Sequence, residues 1–353
     1  MKVLVAMSGG VDSAVSAYLI KQNHQAIGIT MRLHDDTDNL IYGENSCCSN
    51  QDIADAKSVC ALVGIPHEVH DFGTSFRECV INDFINCYKN GATPNPCIVC
   101  NKKIKFEQLL KMALDRGYDA IATGHYARIE KDENGRYLLK KAIDLSKDQS
   151  YVLYSLTQEQ FAHTIFPLGE MTKNDARALA EGIGFVNARK HDSQDICFIP
   201  DGDYASFIER TTGETFKKGN FIDLNGNILG THNGIIKYTI GQRKGLGIAL
   251  GEPMYVIDKD LERNTVTLAR NSELFSSTLT AKNINLISVE SINEPMRVKA
   301  KIRYNQKEQP ATVKQIGENR IRVTFDEPQR AITRGQSVVL YDGDIVVGGG
   351  IIE

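Results

Sequence analysis

Val3-Leu4-Val5-Ala6 is an apolar run with no polar face, which predicts a strand buried on both sides, as in a parallel sheet. Ala14–Ile20 then reads as a first helix. Over residues 1–125 strand and helix signals alternate in this way. Ala26–Met31, Glu68–His70 and Asp119–Thr123 read as strands. Ile53, Ala54, Ala56, Val59, Cys60 and Val63 recur at helical spacing, with Gly64 placed as a C-terminal cap. Phe76 to Tyr88 predicts a second helix ended by Gly91, and Ile104 opens a third that runs to Gly117. The alternation implies an α/β, doubly wound parallel sheet, whose ligands sit beyond the carboxyl ends of its strands. Residues 34–50, carrying Asp35, Asp36, Asp38 and Glu44, read as an acidic loop.

Further on, Tyr126–Lys141 predicts a hairpin turning at Glu133-Asn134-Gly135. Thr172-Lys173-Asn174-Asp175 predicts a capping box, and Tyr204–Arg210 a short helix. From about Phe216 helical periodicity fades and short alternating strands between Gly and Asn turns take over. One small β domain reaches to about residue 275. A second has strands near 279–289, 297–304, 311–316, 320–325, 337–341 and 345–352, the spacing of a small barrel. The expected division is therefore 1–206, 207–276 and 277–353.

Composition narrows the class. Hydrophobic residues make up 42% and charged residues 24% of 353, an ordinary globular balance. The net charge of −3 means that a nucleic acid would have to be met by local basic patches. No apolar run approaches the roughly 18 residues of a membrane span, and the core strand at the start leaves no room for a signal peptide. Eight cysteines in a chain too long to need disulfide staples suggest a reducing compartment, the cytoplasm.

The candidate chemistry begins at Met7-Ser8-Gly9-Gly10-Val11-Asp12-Ser13. A strand, a glycine turn and a helix N-terminus make an anion site. Ser8 and Ser13 add hydroxyls, and Asp12 is placed to hold a magnesium ion or orient a water. Neither G-x-x-x-x-G-K-[ST] nor G-x-G-x-x-G is present. The S-G-G-x-D-S loop resembles the pyrophosphate loop of ATP pyrophosphatases, which adenylate a carbonyl oxygen.

Thr93-Pro94-Asn95-Pro96-Cys97-Ile98-Val99-Cys100-Asn101 carries two prolines that argue against helix and for a shaped loop. Its C-x-x-C spacing suits a metal or cluster, a redox pair, or two structural cysteines. Asp192–Ile199 reads as a strand carrying Cys197. Cys60, Cys79 and Cys87 fall on apolar helix faces, and Cys47-Cys48 is read as incidental. His125, at a strand end, is either a satisfied half-buried imidazole or part of the site. Arg297-Val298-Lys299-Ala300-Lys301-Ile302-Arg303-Tyr304 alternates so that a strand would carry four cations on one face, an RNA platform or a solvated sheet face. Lys102, Lys103 and Lys105 lie beside the cysteine stretch. Ile240–Gly247 is a glycine-rich basic loop expected to touch an RNA stem.

S-G-G-V-D-S, T-P-N-P-x-x-x-C-N-K-x-I-K-F, T-G-H-Y, K-D-Q-S-Y and S-Q-D-I-C-F-I occur in this order over essentially the whole chain. Together they resemble the bacterial tRNA-specific 2-thiouridylase family. The resemblance implies an adenine-nucleotide alpha-hydrolase (PP-loop) domain followed by two β domains, and an ATP- and Mg2+-dependent sulfurtransferase. Its members adenylate the C2 oxygen of the wobble uridine (position 34) of Lys, Glu and Gln tRNAs and replace it with sulfur. They bind ATP at positions matching Ala6, Met7, Ser8, Gly9, Gly10, Val11, Asp12, Ser13, Met31 and Gly124. A cysteine matching Cys100 is the nucleophile, and one matching Cys197 carries the sulfur as a persulfide. Positions matching Asn95, Pro96 and Cys97 bind the tRNA. His125, Lys147, Asp148, Gln149, Arg303, Tyr304 and Gln336 match tRNA contacts. Familiar members carry Asp where this chain has Cys97, a residue proposed there as acid/base. The substitution leaves Cys97, Cys100 and Cys197 as three thiolates able to hold a [4Fe–4S] cluster. The expected sulfur source is a cysteine desulfurase, a sulfur relay protein or free sulfide. A PP-loop amidotransferase or synthetase acting on a small molecule is a rival that would not need the basic strand. A non-catalytic RNA-binding ATP sensor would not need the cysteines.

Overall fold

The computed structural model describes residues 1–33, 49–191 and 196–353. The acidic loop with Cys47-Cys48, and Asp192–Asp195, lie outside the described residues. The chain opens with β1 (Lys2–Ala6), in which Val3, Leu4 and Val5 are wholly buried. Then come α1 (Val11–Asn23), β2 (Gln25–Arg32), α2 (Asn50–Val63) and β3 (His67–Asp71). Ser49 and Asp52 form a capping box at the start of α2, and Gly64 closes it at φ 74°. Helix α3 runs through Gly73–Phe76, a π-helical stretch Arg77–Ile81, and Asn82–Lys89. Helix α4 runs through Pro96–Cys100, a π-helical stretch Asn101–Leu109, and Leu110–Asp115.

β4 (Ala120–Ala122), the hairpin β5 (Ala127–Lys131) and β6 (Tyr137–Lys141), α5 (Ser150–Leu153), α6 (Gln158–Ala162), β7 (Thr164–Ile165) and α7 (Lys173–Ile183) complete the first unit. Its five-stranded sheet has the order β3-β2-β1-β4-β7, and every pair is parallel. The chain winds outward from β1 to β3, then returns to β4 on the other side of β1. The order therefore reverses between β1 and β4, the switch point at which such sheets bind ligands.

α8 (Tyr204–Thr212) leads to a four-stranded sheet of order β10-β11-β8-β9, built from β8 (Gly219–Ile222), β9 (Ile228–His232), β10 (Tyr255–Asp260) and β11 (Thr265–Ala269). β12 (Phe275–Leu286), β13 (Met296–Lys301), β14 (Gln309–Gly317), β15 (Arg320–Arg330), β16 (Ser337–Asp342) and β17 (Ile345–Ile352) form a six-stranded barrel closed by the β12–β17 pairing. The units share one core. Leu4 and Phe84 from the first, Phe221 and Val256 from the second, and Val339 and Tyr341 from the third belong to the same buried cluster. A separate cluster lies around α1, α2 and α7, and another fills the barrel. No helix among the described residues is long and apolar enough to cross a membrane.

The strands expected on pattern are present, with three differences. Cys97 and Cys100 lie on a helix rather than a loop, because Pro96 occupies the first helical turn, where its missing N–H and fixed φ favour a helix start. Ile196–Ile199 forms a turn, with Ile199 N–H donating to Ile196 O at 2.8 Å, rather than the strand read over 192–199. Burial of Phe198 and Ile199 as anchors, not alternation, explains its apolar residues. The basic strand ends at Lys301, so Arg303 and Tyr304 lie beyond it.

The hairpin β5–β6 also leaves its own unit. It pairs with β17, and the Arg136 guanidinium donates to the carbonyls of Leu286, Ile287 and Val289. Arg136→Met is expected to destabilise the protein by about 1–3 kcal/mol, through lost charge-assisted hydrogen bonds, read as a lower urea midpoint.

Candidate active site

The loop after β1 is held from every side. Met7 N–H donates to Ile29 O at 2.8 Å. Ser13 Oγ donates to Gly10 O at 2.9 Å and accepts from Ser8 N–H at 3.2 Å. Gly10 is the N-cap of α1 and supplies no side-chain cap, which leaves the first-turn amides for an anion. Gly9 has φ +76°, and a Cβ there would lie 2.5 Å from Asp52 O. A Cβ on Gly124, beyond β4, would lie 2.8 Å from the Asp12 carbonyl carbon. The two glycines thus let α2 and β4 close on the loop. Met31 is buried at the end of β2. The ten residues matched to ATP binding are brought to the switch point between β1 and β4.

Four further side chains were not legible as part of this loop. Lys173 Nζ donates to both carboxylate oxygens of Asp12 at 2.8 Å, and Tyr126 OH donates to one of them at 2.8 Å. Asp12 is therefore paired within the protein, and magnesium holding is not assigned to it. Asn187 Nδ2 donates to Gly9 O at 2.9 Å. Lys190 Nζ donates to the same carbonyl at 3.3 Å and to Asp52 and Asp55 at 2.7 Å. Burial opposes the Lys190 charge, but the two carboxylates outweigh it and hold the ammonium above its ordinary value. Lys173 was visible in the sequence only as part of a capping box, which the structure confirms. Nothing local shows that its side chain turns back across 161 positions.

The cysteine helix starts at Asn95, its N-cap, and buried Pro96. Cys97 and Cys100 are three residues apart, neighbours on one helical face. Asn101 is buried and donates to Val152 O at 3.0 Å, fixing the helix against α5. Cys97 is open to solvent, yet desolvation by surrounding protein pushes its thiol up. Cys197 adds to this and Lys105 opposes it. Cys100 and Cys197 are half-buried against the shared core. Phe198 anchors the Cys197 turn, with ring centroids 5.7 Å from Phe76, 5.3 Å from Phe84 and 5.4 Å from Phe207. Among the described residues no group of three His, Cys, Asp or Glu side chains is placed to hold a metal ion. Cys97, Cys100 and Cys197 as they stand do not fit a cluster site.

The residues matched to tRNA contacts are distributed more widely. His125 is buried between Phe106 and Phe166, bonded to Thr123 Oγ1 at 2.7 Å. Burial, with Lys105 nearby, holds its pKa well below the ordinary value, so the ring is neutral. Asp148 accepts from Ala142 N–H, Ser150 N–H and Ser150 Oγ. Gln149 exchanges hydrogen bonds with the Tyr126 backbone. Lys147 is half-buried beside them. Tyr304 OH reaches Asp148 O at 3.3 Å, and Lys301 lies 5.9 and 6.0 Å from the Tyr151 and Tyr304 rings. Arg297 pairs with Asp326 and Lys103 with Glu107. Of the four cations of the basic strand's face, Arg297 is thus matched by a carboxylate.

Comparison with known proteins decides the family. Three family models match in chain order: a tRNA methyl transferase HUP domain over residues 1–201, its PRC-barrel domain over 205–270, and an aminomethyltransferase beta-barrel domain over 276–352. The tRNA-specific 2-thiouridylase MnmA of Clostridioides difficile (strain 630) is 53% identical over 354 residues, covering 100% of this chain and 98% of that protein. The enzyme of the same name from Acetivibrio thermocellus is 54% identical over 357 residues, covering 100% and 99%. The chain belongs to the tRNA-specific 2-thiouridylase family. Distant solved structures are also similar to this family member. NMN synthetase from Francisella tularensis matches 61% of this chain and 78% of its own at 16% identity and a TM-score of 0.34. An NH3-dependent NAD synthetase from Campylobacter jejuni matches 55% and 69% at 15% identity and a TM-score of 0.32.

Two outcomes follow from the thiouridylase loop and helix. Gly9→Ala is expected to weaken ATP binding at least about tenfold, roughly 1.4 kcal/mol, by calorimetry on protein whose thermal melt shows it folded. Because the Cys97 thiol is raised, it is protonated at neutral pH. Its alkylation by iodoacetamide should rise about tenfold per pH unit and keep rising above the ordinary thiol value, followed by peptide mass spectrometry. A plateau below about pH 8 would contradict the raised value.

Proposed function

We propose that the protein performs ATP-dependent 2-thiolation of the wobble uridine, position 34, of Lys, Glu and Gln tRNAs. The observation that carries this reading is the coincidence, in one chain, of a clamped pyrophosphate loop at the sheet's switch point and a rigid helix bearing Cys97 and Cys100. The loop amides at Gly9–Ser13 would hold the phosphates. Gly124 and Met31 border the same end of the sheet. Adenylation converts the C2 oxygen into part of a good leaving group, AMP, with pyrophosphate released from ATP; Mg2+ would accompany the phosphates.

Sulfur delivery is assigned to thiols, the route that Cys100 and Cys197 supply by themselves. The terminal sulfur of a Cys197 persulfide attacks C2, and AMP departs with the former C2 oxygen. Cys100 thiolate then attacks Sγ of Cys197, breaking the sulfur–sulfur bond to the base and leaving a Cys100–Cys197 disulfide. A cellular dithiol reductant restores both thiols. The sulfur comes from a cysteine desulfurase, a relay protein or free sulfide. Residues 1–206 form the catalytic domain, 207–276 a central RNA-binding domain and 277–353 the barrel. Lys147, Asp148, Gln149, Arg303 and Tyr304 face the RNA, and Asn95, Pro96 and Cys97 the target base. The reaction places the enzyme in the cytoplasm, with its tRNA.

Full-length protein, unmodified tRNA, ATP, Mg2+ and a persulfide donor should yield 2-thiouridine by nucleoside mass spectrometry. Cys100→Ala and Cys197→Ala should each abolish it while adenylation, read as pyrophosphate release, persists. Thiolation surviving either substitution would overturn the assignment. Stoichiometric iron after anaerobic reconstitution, required for turnover, would replace the thiol route with the cluster.

A further inference from the structure

The turn between β15 and β16 enters the catalytic unit and takes hold of the chain just before the cysteine helix. Gln336 Nε2 donates to Thr93 O at 3.0 Å and to Pro94 O at 3.1 Å. One amide nitrogen carries two protons and so serves both carbonyls. In return Thr93 N–H donates to Arg334 O at 2.8 Å. Gly335 lies between them at φ +88°, where a Cβ would stand 2.9 Å from Ala92 Cβ and 3.0 Å from Thr93 N and O. The next residues are Asn95 and Pro96, the start of the helix, then Cys97.

The same turn is gripped from its other side. Arg303 Nη2 donates to Ala331 O at 2.8 Å and to Thr333 Oγ1 at 2.9 Å, and Gln336 N–H donates to Thr333 O at 3.3 Å. Ala331 has φ +55°, a left-handed conformation that costs a residue with a Cβ and persists only where its surroundings impose it. Gly241, of the glycine-rich basic loop, packs so closely that its Cβ would lie 2.9 Å from that of Ala331. Residues 331–336 therefore touch all three units, with Arg303 and the Gly241 loop on one side and the chain leading into the cysteine helix on the other.

We propose that Gln336 is a positioning residue for sulfur transfer. It fixes the Thr93 and Pro94 carbonyls and thereby the place at which the Pro96–Cys100 helix presents its thiols, and the Arg303–Thr333 contacts hold Gln336 in turn. This rests on the thiouridylase reading and assigns Gln336 to the helix instead of to a base of the RNA. A small displacement of a reacting group costs roughly a hundredfold in rate, so the clamp acts on the chemical step more than on binding.

The test compares full-length wild type, Gln336→Ala and Gly335→Ala. The second variant forces the turn from Thr93 by a methyl group and removes no polar contact. Single-turnover thiolation is measured at saturating tRNA, tRNA Kd by filter binding, and Cys97 alkylation by iodoacetamide without tRNA. Both variants should lose about ten- to a hundredfold in single-turnover rate, keep Kd within about twofold, and show an altered Cys97 alkylation rate. A raised Kd with the wild-type rate restored at saturation would make Gln336 an RNA contact and overturn the proposal, as would wild-type behaviour in all three measurements. If wild type forms no 2-thiouridine, the functional reading fails, while the alkylation comparison still judges the clamp. Amide exchange on the wild type needs no variant: Thr93 should be protected like Ile352 in the barrel, and exchange as fast as an open loop would overturn the clamp.

Discussion

The molecule depends on a backbone loop packed so closely that its neighbours leave no room for a side chain. Gly9 lies against the Asp52 backbone, and its carbonyl is held by Asn187 and Lys190. With that carbonyl fixed, the peptide units that follow are oriented before any ligand arrives. An anion then meets ordered amides at the positive end of α1. Preorganisation of this kind stabilises developing charge without reorganisation at the moment of reaction. The Asp52–Asp55–Lys190 group pins α2 to the loop, so the second helix serves the site as well as the core.

The nucleotide loop and the cysteine helix are supported by different neighbours. The loop is clamped by α2, α7 and the segment after α7. The helix is clamped by α5 through Asn101 and by the barrel through the 331–336 turn. Both belong to one rigid sheet unit, yet the barrel bears directly on the helix alone. Its hairpin partner, β5–β6, starts two residues after His125 and joins β17. The barrel is thus part of the first unit's architecture at several points, Tyr151 and Tyr154 against Ser337 among them, and one continuous core runs through all three units.

Much of this is legible along the chain. The apolar run at 3–6, the capping box at Thr172, the Gly64 cap and six barrel strands follow from local pattern, whereas the Ser49 capping box appears only in the structure. What misled was local too. Two prolines suggested an irregular loop, but Pro96 occupies the one helical position that tolerates proline, and the helix follows from it. The turn at Cys197 reads as a strand because Phe198 and Ile199 are apolar, although both are buried and Phe198 packs against Phe76, Phe84 and Phe207. The contacts that could not be read were long-range: Lys173 with Asp12, Lys190 with Asp52 and Asp55, and Gln336 with Thr93 and Pro94. Each joins residues more than a hundred positions apart, and no local pattern encodes such a pairing.

The cysteines show what rigid support means for the chemistry. Cys97 and Cys100 share a helix and cannot move independently. Its π-helical continuation at 101–109 begins directly after Cys100, the kind of irregularity that recurs at functional sites. Cys197 instead rides on a turn anchored by buried Ile199 and by the Phe198 ring among α3 and α8. On the proposed route, the approach of a sulfur-bearing Cys197 to Cys100 is therefore governed by two supports, polar at the helix and apolar at the turn. Hydrogen bonds fix direction, whereas aromatic packing fixes depth but tolerates rotation. In the proposed sulfur transfer the helix is thus the fixed reference, and the Cys197 turn is the part that adjusts to it.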